Sequence, residues 1–148
     1  MRGPAVRANA DNYAIDYTTL NGDTADLIVS VTQTPVGGPF TVYAVSGERD
    51  GVAITGLSPY AGSDEFLFPT DPYVDFSGLS FSTADGDYNL FSNNDIYAEI
   101  DSNVDPVGNA SSGVALTALT VTDVPEPMSI ALLGTGLIGL ALRRRARA

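Results

Sequence analysis

The sequence predicts a mainly β protein, an antiparallel β-sandwich-like domain followed by one C-terminal hydrophobic helix. Three observations predict it. Short runs rich in Val, Ile, Thr, Tyr and Phe recur at roughly 10–15-residue spacing, as in all-β domains. Clusters of Gly, Pro, Asn and Asp punctuate them. No apolar repeat of helical period occurs before Met128, where an almost unbroken apolar run to Leu142 begins.

The elements follow in order. Tyr13 to Thr19 alternates large with small or polar residues and reads as a strand, closed by the turn residues Asn21-Gly22-Asp23. Ala25 to Thr34 is a second strand, with Leu27, Val29 and Val31 on one face. Pro35 to Pro39 breaks it. Phe40 to Gly47 is a third, with Phe40, Val42 and Ala44 facing one way. Glu48-Arg49-Asp50-Gly51 reads as a hairpin turn into a strand from Val52 to Leu57. Residues 58–65 form a loop, Phe66-Leu67-Phe68 a short apolar knot, and Pro69 to Pro72 closes it. Val74 to Thr83 alternates again, with Val74, Phe76, Leu79 and Phe81 in phase around a bulge at Gly78. Asp85-Gly86-Asp87 is a turn. Tyr88 to Phe91 pairs with Ile96 to Ile100 across Asn93-Asn94-Asp95. Asp101 to Gly113 is a polar loop, and Val114 to Val121 is the last strand.

Charge is distributed unevenly. All 18 carboxylates lie between Asp11 and Glu126, and Arg49 is the one cation among them. Such a body repels polyanions, so nucleic acid is excluded as a partner. The chain has no Cys and no His. Disulfides, thiol chemistry and any Ser-His or Cys-His catalytic arrangement are therefore ruled out. The four glutamates, Glu48, Glu65, Glu99 and Glu126, sit in no distinctive motif, and the reading is not an enzyme.

The C-terminal stretch carries three chemistries in succession. Pro125-Glu126-Pro127 is rigid and acidic, with Pro127 suited to a helix start and Glu126 favourable at its positive end. A helix over 128–142 would measure roughly 22 Å at 1.5 Å per residue, against about 30 Å for a hydrocarbon core. Arg143, Arg144, Arg145 and Arg147 then stop transfer, because one arginine at the membrane centre costs roughly 2.5–3.5 kcal/mol. By the positive-inside rule this tail stays cytoplasmic.

The order Val-Pro-Glu-Pro, a Leu/Gly-rich apolar run and an Arg cluster closely resembles the bacterial PEP-CTERM sorting signal. The resemblance rests on Pro125, Glu126 and Pro127, on Leu132-Leu133-Gly134 and Gly136 to Leu140, and on the closing arginines. It implies recognition by an exosortase, a membrane-embedded transpeptidase, with processing near Pro-Glu-Pro. The same tail occurs on some ice-binding proteins. The body texture (Ile-Thr-Gly-Leu, Phe-Leu-Phe-Pro, Tyr-Asn-Leu-Phe) also resembles small PEP-CTERM proteins, which implies no activity.

The predicted organisation is thus residues 1–10 as the end of a signal peptide or a disordered lead, 11–122 as an acidic extracellular domain, and 123–147 as the sorting segment. Ala8-Asn9-Ala10 has the small-x-small form found before signal-peptidase cleavage, so a hydrophobic signal is expected upstream of the given start. The expected life history is export, a transient stay in the inner membrane through helix 128–142, then the cell surface or exopolysaccharide.

Candidate sites in the body are few. Asp101, Asn103 and Asp105 have the alternate-oxygen spacing of calcium loops, but Pro106 and Ser112 stand where an EF-hand needs Gly and Glu. Asp85-Gly86-Asp87-Tyr88-Asn89 fails in the same way. No cofactor is expected, calcium being the one ion the pattern admits. Tyr60 and Tyr73, both in loops, are the candidates for stacking on sugar. Thr120-Val121-Thr122 is a lone Thr-x-Thr, too little for a regular ice-binding array. The function expected is a structural or interaction role, with a calcium- or carbohydrate-binding module as the alternative.

Overall fold

The computed structural model describes residues 11–32 and 38–124. Among these are nine strands: β1 (Asp11–Thr19), β2 (Thr24–Thr32), β3 (Phe40–Arg49), β4 (Val52–Leu57), β5 (Phe66–Leu67), β6 (Leu79–Thr83), β7 (Gly86–Asn93), β8 (Ile96–Asp101) and β9 (Val114–Val124). Single 3-10 turns lie at Tyr60–Gly62 and Ala110–Ser112. Residues 1–10 and the predicted helix 128–142 lie outside the described residues.

Every strand pairs antiparallel with its neighbours, and the pairing closes on itself. β1 joins β2, β2 joins β3, β3 joins β4, β4 joins β6, β6 joins β7, β7 joins β8, β8 joins β9, and β9 returns to β1. β5 is an excursion laid on the start of β3 through Phe40↔Leu67 and Thr41↔Phe66. The architecture is a closed eight-stranded barrel, which corrects the expected sandwich. The correction lies in two thin seams. β9, β1, β2 and β3 form one well-paired half; β4, β6, β7 and β8 form the other. The halves are stitched by two residue pairs at β3–β4 and two at β8–β9. Without those four pairs the molecule would be two facing sheets. Closure shortens the free edges that a sandwich must protect, although β9 beyond Ala115 is paired on its β1 side only.

The interior is filled by side chains, as the diameter of eight strands allows. Leu27, Val29 and Val31 are fully buried, in the phase the sequence shows, while Asp26, Ile28 and Thr32 face out. Ile15, Leu79, Phe81 and Leu90 complete the centre. Each such side chain contributes roughly 1.5–3 kcal/mol relative to exposure. Phe91, Tyr60, Ala98 and Ile100 form a small satellite cluster.

Two expectations about phase are corrected. In β3, Val42 and Val45 are buried and Ala44 is exposed. The pairing register slips there, from Ser30↔Ala44 to Val31↔Val42. That bulge inserts Tyr43 as an extra residue and flips the alternation. On the other side of the barrel, strand β6 begins only at Leu79. Val74 is buried, but Phe76 is 59% exposed, lying edge-on to Phe91 at 6.0 Å. Gly78, at φ +79°, turns the chain where a Cβ would meet the Leu90 carbonyl oxygen at 2.5 Å. Gly47 has a stronger constraint: at φ +117° its Cβ would fall 2.0 Å from the Asp26 carbonyl oxygen across the β2–β3 pair.

The hairpin turns follow their local chemistry. Asp50 and Gly51 both have positive φ, as do Asn94 and Asp95, the geometry that matches strand twist in two-residue loops. The predicted turn at 48–51 is correspondingly shorter, with Glu48 and Arg49 paired to Ala53 and Val52.

Candidate functional site

Two places gather polar chemistry. The first is inside the barrel. Arg49 at the end of β3 is 8% exposed and Glu99 in β8 is 4% exposed. The guanidinium donates to both Glu99 oxygens, Nη2 to Oε1 at 2.5 Å and Nε to Oε2 at 3.1 Å. The Tyr17 hydroxyl, from β1, donates to Oε2 at 2.5 Å. Asp23 closes the open side at 3.3 Å. The guanidinium carbon also lies 4.0 Å over the Tyr88 ring of β7, and Tyr88 in turn packs on Phe81. Burial by itself would lower the Arg49 pKa, but its hydrogen bonds to Glu99 and that residue's charge outweigh burial and push it up. Burial, with Glu99 beside it, pushes the Tyr17 phenol well up.

Both Glu99 oxygens accept hydrogen bonds from the chain itself, so this cluster binds strand to strand. It ties β1, β3, β7 and β8 together at one pole and so spans both halves. The sequence offered a signal for it. A lone cation among so many carboxylates has a partner worth looking for, and the partner is the one glutamate in mid-strand β8.

The second place is a groove where the β8–β9 seam opens. The ladder stops after Ala98↔Ala115. Beyond that point β8 stays on β7 through Tyr97 and Ile96, while β9 stays on β1 through Leu116, Ala118 and Leu119. The two strands diverge, and a groove of about 480 Å³ opens between them. The segment from Asp71 to Tyr73, containing a cis Asp71–Pro72 bond, forms its far wall. One hydroxyl holds that wall: Tyr97 Oη accepts from the Tyr73 amide at 2.7 Å and donates to the Asp71 carboxylate. Burial and the Asp71 bond push the Tyr97 phenol above its ordinary range.

The sequence-level candidates fall out differently. Tyr73 lines the groove. Tyr60 does not: it is 8% exposed, and its hydroxyl donates to the Asp105 carbonyl at 2.5 Å, so it belongs to the satellite core. Asp101 Oδ1 accepts from the Asn103 amide and side chain, an Asx turn. Asp105 accepts from the amides of Val107, Gly108 and Asn109 and from the side chains of Asn109 and Ser112. The Ser112 and Asn109 side chains lead the effects that hold its carboxyl well below the usual carboxylate range. The loop thus spends Asp105 on organising itself, and no group of three metal-ligating side chains converges among the described residues. In the other acidic candidate loop, Asp87 accepts from the Ser82 hydroxyl and the Asp85 carbonyl from Asn103. Thr120 and Thr122 are exposed on β9. Sequence reading missed Asp71, Asp95, Tyr97 and the Leu116–Leu119 wall, because the groove joins three segments distant in the chain.

A third feature is an acidic contact under the 58–78 crossover. Burial and a hydrogen bond shared with Asp75 push the Asp64 carboxyl up to about 7. Beside it, Glu65 Oε1 accepts from the Ser80 amide while Oε2 is buried without a partner. Burial raises its pKa too.

Strand β9 ends at Val124, which pairs with Asn12 of β1 and is also the last described residue. The family model described as the PEP-CTERM protein-sorting motif matches residues 123–145. This chain carries a PEP-CTERM sorting motif. The match takes in Pro125, Glu126, Pro127 and Arg143 to Arg145, all outside the described residues, and stops short of Arg147. It reaches the barrel only at Asp123 and Val124. The PEP-CTERM motif marks the protein for export and for sorting by an exosortase. Among the described residues no helix is long and apolar enough to cross a membrane. No curated protein and no solved structure matches the chain.

Proposed function

We propose that the barrel is the cargo of this sorting motif: a structural or interaction module of the cell surface or extracellular matrix, without catalytic activity and without a cofactor. The observation that supports this most is continuity. The motif begins two residues inside the last strand of the barrel, so the sorted segment and the closing strand are one piece of chain. Helix 128–142 would hold the barrel at the inner membrane until an exosortase removes it, and the barrel would then pass to the surface and its polysaccharide. The non-catalytic reading is supported by the sealed Arg49–Glu99 pair and by the absence of His and Cys from the chain. The test is fractionation of the native host producing Glu126→Ala or a chain lacking Arg143–Arg145. Both variants should accumulate unprocessed or missorted with the barrel folded. Normal processing and localisation of both would overturn the reading.

The groove favours a second reading of the same body, a carbohydrate-binding module. Its lining combines tyrosine rings with carboxylates, and its volume falls in the roughly 300–1,000 Å³ range of small-molecule sites. A melting temperature indifferent to calcium and to EDTA is expected on either reading.

A further inference from the structure

We propose that the open β8–β9 seam is a subsite for an uncharged glycan chain, with Tyr73, Tyr97 and Leu119 facing its C–H surfaces and Asp71, Asp95 and Thr117 accepting from its hydroxyls. The proposal deepens the interaction-module reading above and takes its biological sense from it.

The geometry supports this in three steps. The groove is an opening in a wall whose ladder has stopped, so its sides are set by β7 and β1, which hold β8 and β9 apart. Its lining is mixed: rings and aliphatic side chains with carboxylates and a hydroxyl among them, the pattern of a site that orients a polar ligand over an apolar surface. And its loop wall is pre-ordered, since the Tyr97 hydroxyl fixes Tyr73 and Asp71 in a single hydrogen-bonded unit before any ligand arrives.

Charge decides which glycan. Arg49 is the one cation of the described residues, and it is consumed inside the barrel. Among the described residues no basic group therefore faces the groove, and two carboxylates do. A uronate or sulfated chain would meet repulsion from both carboxylates, whereas sugar hydroxyls can donate to Asp95 and to the Asp71 lone pairs that Tyr97 leaves open. An extended peptide would add to a strand edge, and beyond Ala115 strand β9 is paired on its β1 side only. The carboxylates of Asp71 and Asp95 in the same lining suit sugar hydroxyls better than the side chains of an apolar strand.

The test is calorimetric titration of the full chain with cellotetraose, maltotetraose and chitotetraose, and with tetragalacturonate as the anionic comparison. At least one neutral tetrasaccharide should bind saturably, and tetragalacturonate at least about tenfold more weakly. Amide shifts on binding should cluster at 71–73, 95–97 and 116–119. Leu119→Trp, which fills the groove, should abolish binding. Tyr97→Phe, which keeps the ring and frees the wall, should weaken it about tenfold, while Val104→Ala on the distant loop should leave it unchanged. The proposal is overturned if none of the neutral sugars binds, if the shifts lie elsewhere, or if a folded Leu119→Trp binds normally. A strand-forming peptide that shifts these residues when no glycan does would also overturn it. The shift map on unmodified protein needs no variant to fold. Sorting plays no part in these measurements, so a failure here leaves the export reading standing, and the reverse.

Discussion

Glu99→Gln in the barrel interior is the sharpest probe of what holds the fold closed. Glu99 accepts three hydrogen bonds, from Arg49 Nε, Arg49 Nη2 and the Tyr17 hydroxyl. A glutamine of the same shape has one acceptor oxygen. If that oxygen takes the place of Oε2, its amide NH2 faces Arg49 Nη2, donor against donor. If it takes the place of Oε1, the NH2 faces Arg49 Nε. Either orientation also leaves Arg49 charged and buried, with only half-exposed Asp23 to balance it. Breaking a buried pair from one side costs about 3–5 kcal/mol. At roughly 4 °C per kcal/mol for a domain of this size, the melting temperature should fall by about 12–20 °C. Removing the whole cluster should cost much less. The triple variant Tyr17→Phe, Arg49→Met, Glu99→Leu leaves no buried charge or orphaned hydroxyl, and should lie within about 2 kcal/mol of the parent. The assay is urea unfolding followed by circular dichroism and tyrosine fluorescence, as the chain has no Trp. A Glu99→Gln cost below about 1 kcal/mol, or a triple variant as damaged as the single one, would refute the reasoning.

Three further outcomes are expected. The Asp64 carboxyl, pushed up to about 7, holds a proton in the folded state that the unfolded chain has lost, so stability should fall as pH rises from about 4 to 7 and level off above. Asp16 and Glu65, also raised, act in the same direction. Asp64→Asn keeps the hydrogen bond to Asp75 without the titration and should visibly flatten the slope in urea midpoints measured across that range; an unchanged slope would count against the shared proton. Gly47→Ala must push β2 off β3 and should cost at least about 2 kcal/mol in the same unfolding assay. Finally, mass spectrometry of the mature product should place its C-terminus at or beyond Val124. A product ending before Asp123 would lack the Asn12↔Val124 and Tyr13↔Asp123 pairs that close the end of the β1–β9 ladder.

The groove and the buried cluster were legible to different degrees. Arg49 stood out by charge alone, because a single cation in an acidic body is an anomaly of composition. Its partner did not, since Glu99 sits in a sequence no different from an ordinary half-buried strand. Tyr73 was visible as an aromatic in a loop, yet Tyr60 was equally visible and is core. What separates them is the satellite cluster of Phe91, Ala98 and Ile100, assembled from residues some 30–40 positions further along the chain. Asp101 and Asp105 looked like calcium ligands because alternate oxygens serve ions and Asx turns alike. The structure shows the turn use of both carboxylates directly.

By itself the sequence determined the β class, most strand positions, the inward phase of Leu27, Val29 and Val31, and the sorting motif. Those are local properties: side-chain alternation, turn residues, and a contiguous run of proline, apolar and basic chemistry. Tertiary structure alone decided closure into a barrel, the slip of phase at Tyr43, the Arg49–Glu99–Tyr17 cluster and the groove. Each depends on which strand lies beside which. Alternation sets a strand's two faces but not its neighbours, and two residue pairs at each seam are enough to turn two sheets into one closed wall.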